Sequence, residues 1–133
     1  MTLDYIAGFF DGEGSVTLSR DRKDAKFKSP MVSFSNNIRG ILEDIQQFLN
    51  LGGSIICKSD SRPNCGPSFT LQYKDDAALK VCALLQDKLR HPSRKARMQL
   101  LTSTYKSVTP RNGKYSTEML KKKLALEEQF SRS

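Results

Sequence analysis

The sequence predicts an α+β protein in which two pairs of strands form one antiparallel sheet with helices on one face. Stretches of alternating apolar and polar residues occur in two pairs, and segments with helical apolar spacing follow each pair. The length of 133 residues suits a single domain. Because no apolar run reaches the ~18 residues that span a bilayer, the sequence predicts no membrane span.

The first element is a short apolar helix, predicted over residues 3–10. Thr2 is placed to cap this helix, and Asp4 in the first turn suits the positive end of the helix dipole. Acidic residues and glycines follow, so we expect the helix to stop there, with Glu13 just past its C-terminus.

The first strand pair is predicted from alternation over residues 15–19 and from a second apolar stretch over residues 27–35. In the second strand, Val32 and Phe34 are expected to face the same side. Pro30 lacks a backbone N–H, which predicts an edge position or a bulge for this strand.

The second half of the chain is predicted as helix, hairpin and three further helices. Gly52 and Gly53 end the first of these helices, and Ser93 and Ser116 are expected to cap the last two. The ββα block occurs twice, as in a weak internal repeat. The predicted elements are a helix over 38–49, strands over 54–58 and 69–74, and helices over 76–89, 94–106 and 116–130.

The chain is predicted to form one domain over residues 1–133. Its core is expected over about residues 1–106, and a C-terminal helical extension over about residues 107–133.

Charge is unevenly distributed along the chain. The 22 basic and 14 acidic residues give +8, with a pI of about 9.6. Ten basic residues and one acid fall between Arg90 and Lys123, which predicts a basic surface for an anionic partner, nucleic acid or acidic lipid. The run of lysines over residues 121–123 is expected to form a solvated helix face.

The cysteines and the histidine do not have the spacing of a zinc site. Cys57, Cys65, Cys82 and His91 would all be needed as ligands of a structural zinc ion. The thiols indicate a reducing compartment instead.

The most informative segment is residues 5–14, which read YIAGFFDGEG. Glycine inside a helix costs about 0.5–1 kcal/mol relative to alanine, so Gly8 needs a reason. Gly8 and Gly12, with Ala7 beside them, would let the backbones of two helices approach closely. The alternative is that Gly8 packs against the sheet of its own chain.

Glu13 is a candidate metal ligand. Carboxylate and carbonyl oxygens suit a hard cation such as Mg²⁺, but one acid per chain is a poor site for a divalent ion. Two chains that cross at this helix would bring two Glu13 carboxylates together, a geometry suited to displacement at phosphates. The alternative reading of Asp11 and Glu13 is a solvated helix end.

Residues 6–14 resemble the nine-residue signature of the LAGLIDADG homing endonucleases at each position, allowing for its usual apolar and acidic variation. The order of elements up to about residue 106 is also similar. The resemblance implies an αββαββα fold, whose saddle-shaped four-stranded antiparallel sheet lies in the DNA major groove, with extra C-terminal helices. A single motif implies a homodimer paired through the motif helices. The interface residues implied are Ala7, Gly8, Asp11 and Gly12.

The resemblance also implies a catalytic site. Glu13, with the Gly12 carbonyl, would bind Mg²⁺, for which Mn²⁺ substitutes, and Asp11 would be mainly structural. Asn36, or its neighbour Asn37, and Arg39 fit the polar positions after the second strand. Lys95 fits the basic position, with Arg94 and Arg97 as competitors, because Met98 stands where the family more often has Gln. The alternative for these residues is phosphate contact without a catalytic role.

DNA contacts are expected from two groups of residues. The open sheet face would read base edges through Thr17, Ser19, Thr70, Gln72 and Lys74. Strand ends and hairpin loops would hold phosphates through Arg20, Arg22, Lys23, Lys26, Lys28, Lys58 and Arg62.

The expected function is a site-specific homing endonuclease that makes a staggered double-strand break in a long, roughly palindromic DNA by metal-dependent hydrolysis. The partners would be double-stranded DNA and a second copy of the chain, with no membrane and no small-molecule cofactor. The resemblance implies an intron-encoded protein of a chloroplast, a mitochondrion, an archaeon or a viral host. The alternative functions are an RNA maturase or a non-catalytic DNA-binding protein on the same fold.

Overall fold

The computed structural model describes residues 1–19, 28–58, 66–109 and 114–132. The elements follow the predicted order, with a short 3₁₀ turn added at Lys106–Val108. Among the described helices, none is long and apolar enough to cross a membrane. The elements are α1 (Leu3–Glu13), β1 (Gly14–Ser19), β2 (Ser29–Asn36), α2 (Arg39–Leu49), β3 (Ser54–Lys58), β4 (Ser68–Lys74), α3 (Asp75–Leu85), α4 (Pro92–Thr104) and α5 (Thr117–Arg132).

The four described strands form one antiparallel sheet in the order β1-β2-β4-β3. The second strand of each hairpin lies in the centre, and a helix follows each hairpin, so the internal ββα repeat is visible in the fold. The prediction of an edge position or bulge at Pro30 is wrong, because β2 is a central strand. Pro30 pairs only with Leu18 of β1, and the pairing with β4 begins one residue later, at Met31, so the missing N–H breaks no β4 ladder.

One face of the sheet is packed and the other is open. Val16, Val32, Phe34, Leu71 and Tyr73 are nearly inaccessible and pack under the helices. The Phe34 ring meets the Phe10 ring edge-on, with 5.3 Å between ring centres, which fixes α1 on the sheet. Helices α2, α3 and α4 add further buried apolar residues, so the core is a single layer between sheet and helices.

The first helix is longer than predicted and leads directly into the sheet. It includes Glu13, and Gly14 is both its C-cap and the first residue of β1. A Cβ atom on Gly14 would clash with the ring of Phe10, so only glycine allows this aromatic ring to pack against the turn.

Two further helix boundaries differ from the predictions. Helix α3 ends at Leu85 instead of residue 89. Helix α4 begins at Pro92, and its cap is His91 rather than Ser93: the His91 Nδ1 atom accepts a hydrogen bond of 3.3 Å from the Arg94 N–H. Proline suits the first helical position because its missing N–H would have no partner there. The predicted caps Thr2 and Ser116 are confirmed by hydrogen bonds to Tyr5 and Met119.

The lysine run of α5 is only partly solvated, which corrects the expectation for residues 121–123. Lys123 is 1% exposed, and its Nζ donates a 2.8 Å hydrogen bond to Thr109 Oγ1. The ammonium group also lies 3.7 Å from the centre of the Tyr105 ring. Burial lowers the Lys123 pKa from 10.5 to about 8. Phe130 of the same helix joins the main core, so α5 is docked and not a free tail.

Candidate functional site

The last residue of α1 carries the candidate metal ligand at one end of the sheet. Glu13 is exposed, and it precedes Gly14, which pairs with Phe34 of β2. Asn36 is the last residue of β2, two residues beyond Phe34. The C-terminus of β2 and the C-terminus of α1 therefore lie at the same end of the sheet. The Asn36 Oδ1 atom accepts a 2.8 Å hydrogen bond from the Ile38 N–H, which leaves its amide nitrogen for another acceptor.

The start of α4 is tied to the end of α1 by Asp11. The Asp11 carboxylate accepts hydrogen bonds from the backbone N–H groups of Arg90, at 2.9 Å, and His91, at 3.1 Å. In return, Arg94 Nη1 donates to the Asp11 backbone carbonyl oxygen. Asp11 therefore joins two elements within its own chain, the structural part that the resemblance implied for it. These hydrogen bonds hold the first turn of α4, which contains Lys95, next to the C-terminus of α1.

The three basic candidates of α4 differ in their partners. Arg94 is engaged with the end of α1, and the Arg97 guanidinium stacks 5.3 Å from the centre of the Phe130 ring. In the part of the chain that the structure describes, the half-buried Lys95 side chain has no hydrogen bond or ion pair. Of the three, Lys95 is therefore the candidate without a described side-chain partner.

Arg39, the fourth predicted catalytic residue, lies at the start of α2 with partners of its own. Its Nε forms a 2.8 Å salt bridge with Glu43, and its guanidinium stands 5.7 Å from the centre of the Phe69 ring. This exposed pair is weak and exchangeable in water, so Arg39 stays a predicted site residue.

The outer face of α1 is open. A Cβ atom added to Gly8 or Gly12 would meet nothing within 4 Å, and both glycines are exposed. The alternative that Gly8 packs against its own sheet is therefore wrong. Tyr5, which is 51% exposed, flanks the two glycines. The Ala7 side chain, in contrast, is 1% exposed and faces the core of its own chain, so it does not belong to this outer face.

The open sheet face presents only some of the predicted reading residues. Ser19, Gln72 and Lys74 have accessible side chains. Thr17 Oγ1 is buried without a hydrogen-bond partner among the described residues, and Thr70 is 9% exposed with its hydroxyl 3.2 Å from that of Ser35. These two threonines do not offer free hydroxyls to a ligand, which corrects the prediction that they read base edges.

The predicted phosphate contacts are only partly described. Lys58 is exposed at the end of β3. Lys28 is half-buried, and its N–H donates to the Glu127 carboxylate at 3.1 Å. The remaining predicted phosphate contacts lie outside the described residues; they are Arg20, Arg22, Lys23, Lys26 and Arg62.

Within the described ranges, the structure brings together no group of three or more His, Cys, Asp and Glu side chains that could hold a metal ion. Glu13 therefore belongs to no such group within these ranges. The neighbouring Gly12 carbonyl lies in the last turn of α1, where helix acceptors have no intrahelical donor.

Residues 1–64 match the model of the LAGLIDADG-like domain. Among solved structures, I-CvuI bound to the I-CreI target in the presence of Mg is similar with a TM-score of 0.73 at 18% identity, over 98% of this chain and 80% of that chain. The archaeal intron-encoded homing endonuclease I-Vdi141I, complexed with DNA, has a TM-score of 0.63 at 20% identity, over 98% and 82%. A K262A mutant of I-SmaMI has a TM-score of 0.68 at 20% identity, over 95% of this chain and 43% of that chain. No curated protein matches.

The architecture is therefore that of the LAGLIDADG homing endonucleases, with the motif helix leading into a four-stranded antiparallel sheet. The likeness to the LAGLIDADG-like domain covers residues 1–64, and the likeness to the solved homing endonucleases is one of fold.

Proposed function

We propose that the chain is a homodimeric, site-specific DNA endonuclease that makes a staggered double-strand break in a long, roughly palindromic target. The observation that carries the proposal is the position of Glu13. This exposed acid ends a helix whose outer face holds two glycines that the fold of the single chain does not require.

The exposed face of α1 that carries the two glycines supports the pairing of two chains. Gly8 and Gly12 lie four residues apart on α1, so a second helix can approach the backbone closely along this face. A twofold axis there would place two Glu13 carboxylates side by side.

The donor set fits a hard divalent cation. The Glu13 carboxylate and the Gly12 carbonyl are oxygen ligands of the kind that Mg²⁺ prefers, and the I-CvuI complexes were studied in the presence of Mg and of Ca. When bound, such an ion polarises a phosphate and lowers the pKa of a water molecule. The second chain and the phosphates of the DNA would complete the ligand set, because each chain contributes one carboxylate.

The chain's own residues then have separate tasks. The Lys95 ammonium offsets the negative charge that develops on the attacked phosphate. The Asn36 amide nitrogen donates a hydrogen bond to a phosphate oxygen or to the attacking water. Asp11 positions Lys95 by holding the start of α4 against α1. The accessible polar side chains of the open sheet face contact the major groove.

The test is cleavage by the Glu13→Gln variant. A preferred target is first selected with the wild-type protein from random double-stranded DNA, and nicking of a plasmid that carries it is then measured with Mg²⁺ or Mn²⁺. We expect Glu13→Gln to bind the target with near wild-type affinity and to lose cleavage by a factor of at least about 100. Asp44→Asn is the matched control, since it neutralises another exposed acid, on α2, and should cleave normally.

Two results would contradict the proposal. Cleavage by Glu13→Gln at the wild-type rate would remove Glu13 from the chemistry. A wild-type protein that selects one DNA sequence but never nicks it with either metal would be a non-catalytic DNA-binding protein. The proposed intron-encoded origin is tested separately. If the protein is intron-encoded, the selected target should match a DNA junction at which an intron is inserted.

A further inference from the structure

We infer that Ile56 is a specificity-determining residue, which packs against the C5-methyl group of a thymine in each half of the DNA target. The inference rests on the proposed function and adds to it a particular contact and a particular base. It comes from the strand register and the burial of the open sheet face.

The register divides the open face into rows of neighbouring residues that cross the sheet. The first row contains Thr17, Met31 and Lys74 and lies next to an end pair of Ser19 and Ser29; the second contains Ser15, Ser33, Gln72 and Ser54; the third contains Ser35, Thr70 and Ile56; and a fourth pairs Ser68 with Lys58. Hydroxyl residues and Met31 occupy most positions on the β1–β2 side. The other long side chains of these rows are on the β3–β4 side; they are Ile56, Lys58, Gln72 and Lys74.

The third row differs from the others because its hydroxyl groups are already engaged. Ser35 Oγ and Thr70 Oγ1 lie 3.2 Å apart, and Thr70 is only 9% exposed. The third member, Ile56, is 40% exposed. Any contact that this row makes with a ligand above the sheet is therefore made mainly by an apolar side chain.

An apolar side chain can distinguish bases in the major groove by contact with the methyl group of thymine. Thymine alone presents a methyl group there, while the other bases present only hydrogen-bonding groups and C–H edges. A single exposed isoleucine is ordinary on a protein surface. On a face otherwise rich in Ser, Thr, Gln and Lys, it is the one strongly exposed apolar contact among the rows described above, since Met31 is half-buried.

The surroundings of Ile56 also favour an A·T pair. Gln72 lies diagonally across from Ile56 on the same face, and glutamine pairs with the N6 and N7 atoms of adenine. Ile56 lines an open recess of about 350 Å³ together with Ser54, Gln72 and Lys74 of the same face and with Gly53, Tyr73 and Ala77.

The experiment compares thymine with deoxyuridine, which lacks only the methyl group. In the target selected by the wild-type dimer, each thymine is replaced in turn in both half-sites, and affinity is measured by fluorescence anisotropy. We expect one position at which the replacement weakens binding about fourfold per half-site, the value for one buried methyl group. Ile56→Ala should bind the thymine and deoxyuridine targets equally.

Leu84→Ala is the matched control. Leu84 is 41% exposed, on α3 in the helical layer, so its loss should leave the methyl dependence unchanged. Ile56→Thr is a second variant that keeps a β-branched side chain suited to a strand but only one methyl group, and it should reduce the dependence. Circular dichroism shows whether each variant is folded.

The outcomes separate the inference from the proposed function. If specific binding and cleavage persist but deoxyuridine has no effect at any position, or the same effect in Ile56→Ala, the inference is overturned and the proposed function stands. If the wild-type protein selects no DNA sequence, both are overturned.

Discussion

Lys123 places an ammonium group inside the protein, where Thr109 and the Tyr105 ring are its close contacts among the described residues. Burial disfavours the charged form, which is why its pKa falls to about 8. Glu127, one turn along α5, acts in the opposite direction and keeps the pKa from falling further. Three consecutive lysines give no local sign that one of them is buried. The burial of Lys123 depends on its packing against Tyr105 and Thr109, which lie in another segment of the chain.

The buried lysine predicts a pH dependence of stability. The folded-state pKa lies below the unfolded value of 10.5, so between about pH 8 and 10.5 the unfolded chain binds more protons and stability rises with pH. We expect the free energy of unfolding of the wild type, relative to Lys123→Met, to increase by about 1–2 kcal/mol from pH 7 to pH 10. Urea unfolding of both proteins at each pH measures this difference in the free energy of unfolding.

The comparison with Lys123→Met removes the titrations of groups that do not contact Lys123. Burial raises the pKa values of Tyr73 and Cys82 to about 12, which lowers stability at high pH equally in both proteins. Lys122→Met is the control, because the Lys122 side chain is 61% exposed and its stability curve should run parallel to that of the wild type. A parallel curve for Lys123→Met would show that Lys123 is not buried.

At the scale of elements, the link between α1 and α4 joins the metal-ligand candidate to the basic candidate. Asp11 accepts two backbone hydrogen bonds from the residues that precede α4. Without the carboxylate, those N–H groups lose their partners and the first turn of α4 is no longer fixed to the end of α1.

Asp11→Ala should therefore lower the free energy of unfolding by about 1–3 kcal/mol and also slow cleavage. Asp44→Ala, which removes an exposed acid on α2, should do neither. Urea unfolding and plasmid nicking measure the two effects. A variant with normal stability would show that the hydrogen bonds from Arg90 and His91 do not hold the two helices together.

Element order was predictable because its signals are local. Apolar periodicity identified each helix and strand, and Thr2 and Ser116 could be recognised as caps from their neighbours alone. The cap of α4 was missed because histidine is an unusual cap, and its Nδ1 accepts a hydrogen bond only in this geometry. The signal that was available is Pro92, which favours the first helical position.

Site positions were predictable only where a motif fixed them. Glu13 and Asp11 came from the signature, whereas the choice among Arg94, Lys95 and Arg97 needed tertiary contacts with Asp11 and Phe130. The alternation of β4 placed Thr70 on the open face, but its burial depends on Ser35, which is distant in sequence. The register also shows that Ile56 lies on the open face beside Thr70. No local sequence pattern had indicated this position.

At the scale of the whole molecule, the open face of α1 predicts the assembly. Gly8→Arg should fold normally, since no described residue lies within 4 Å of an added Cβ, but the long cation should prevent two α1 helices from approaching. We expect a monomer in sedimentation, binding to the full target about 100-fold weaker, and no double-strand break.

Gly40→Arg is the control for this change. Gly40 also lies in a helix, α2, with open space around its Cβ position, and the same added charge there should leave the dimer intact. A Gly8→Arg protein that sediments as the wild-type dimer would place the interface elsewhere.

The strands carry two independent sets of side chains. On β4, Leu71 and Tyr73 are sealed in the core, while Gln72 and Lys74, which alternate with them, face outward. Substitutions at the outward positions leave the packed layer untouched. Under the proposed function, a descendant of this chain can therefore change the DNA sequence that it binds one residue at a time while the packed layer stays constant, and an engineer who retargets it can follow the same route.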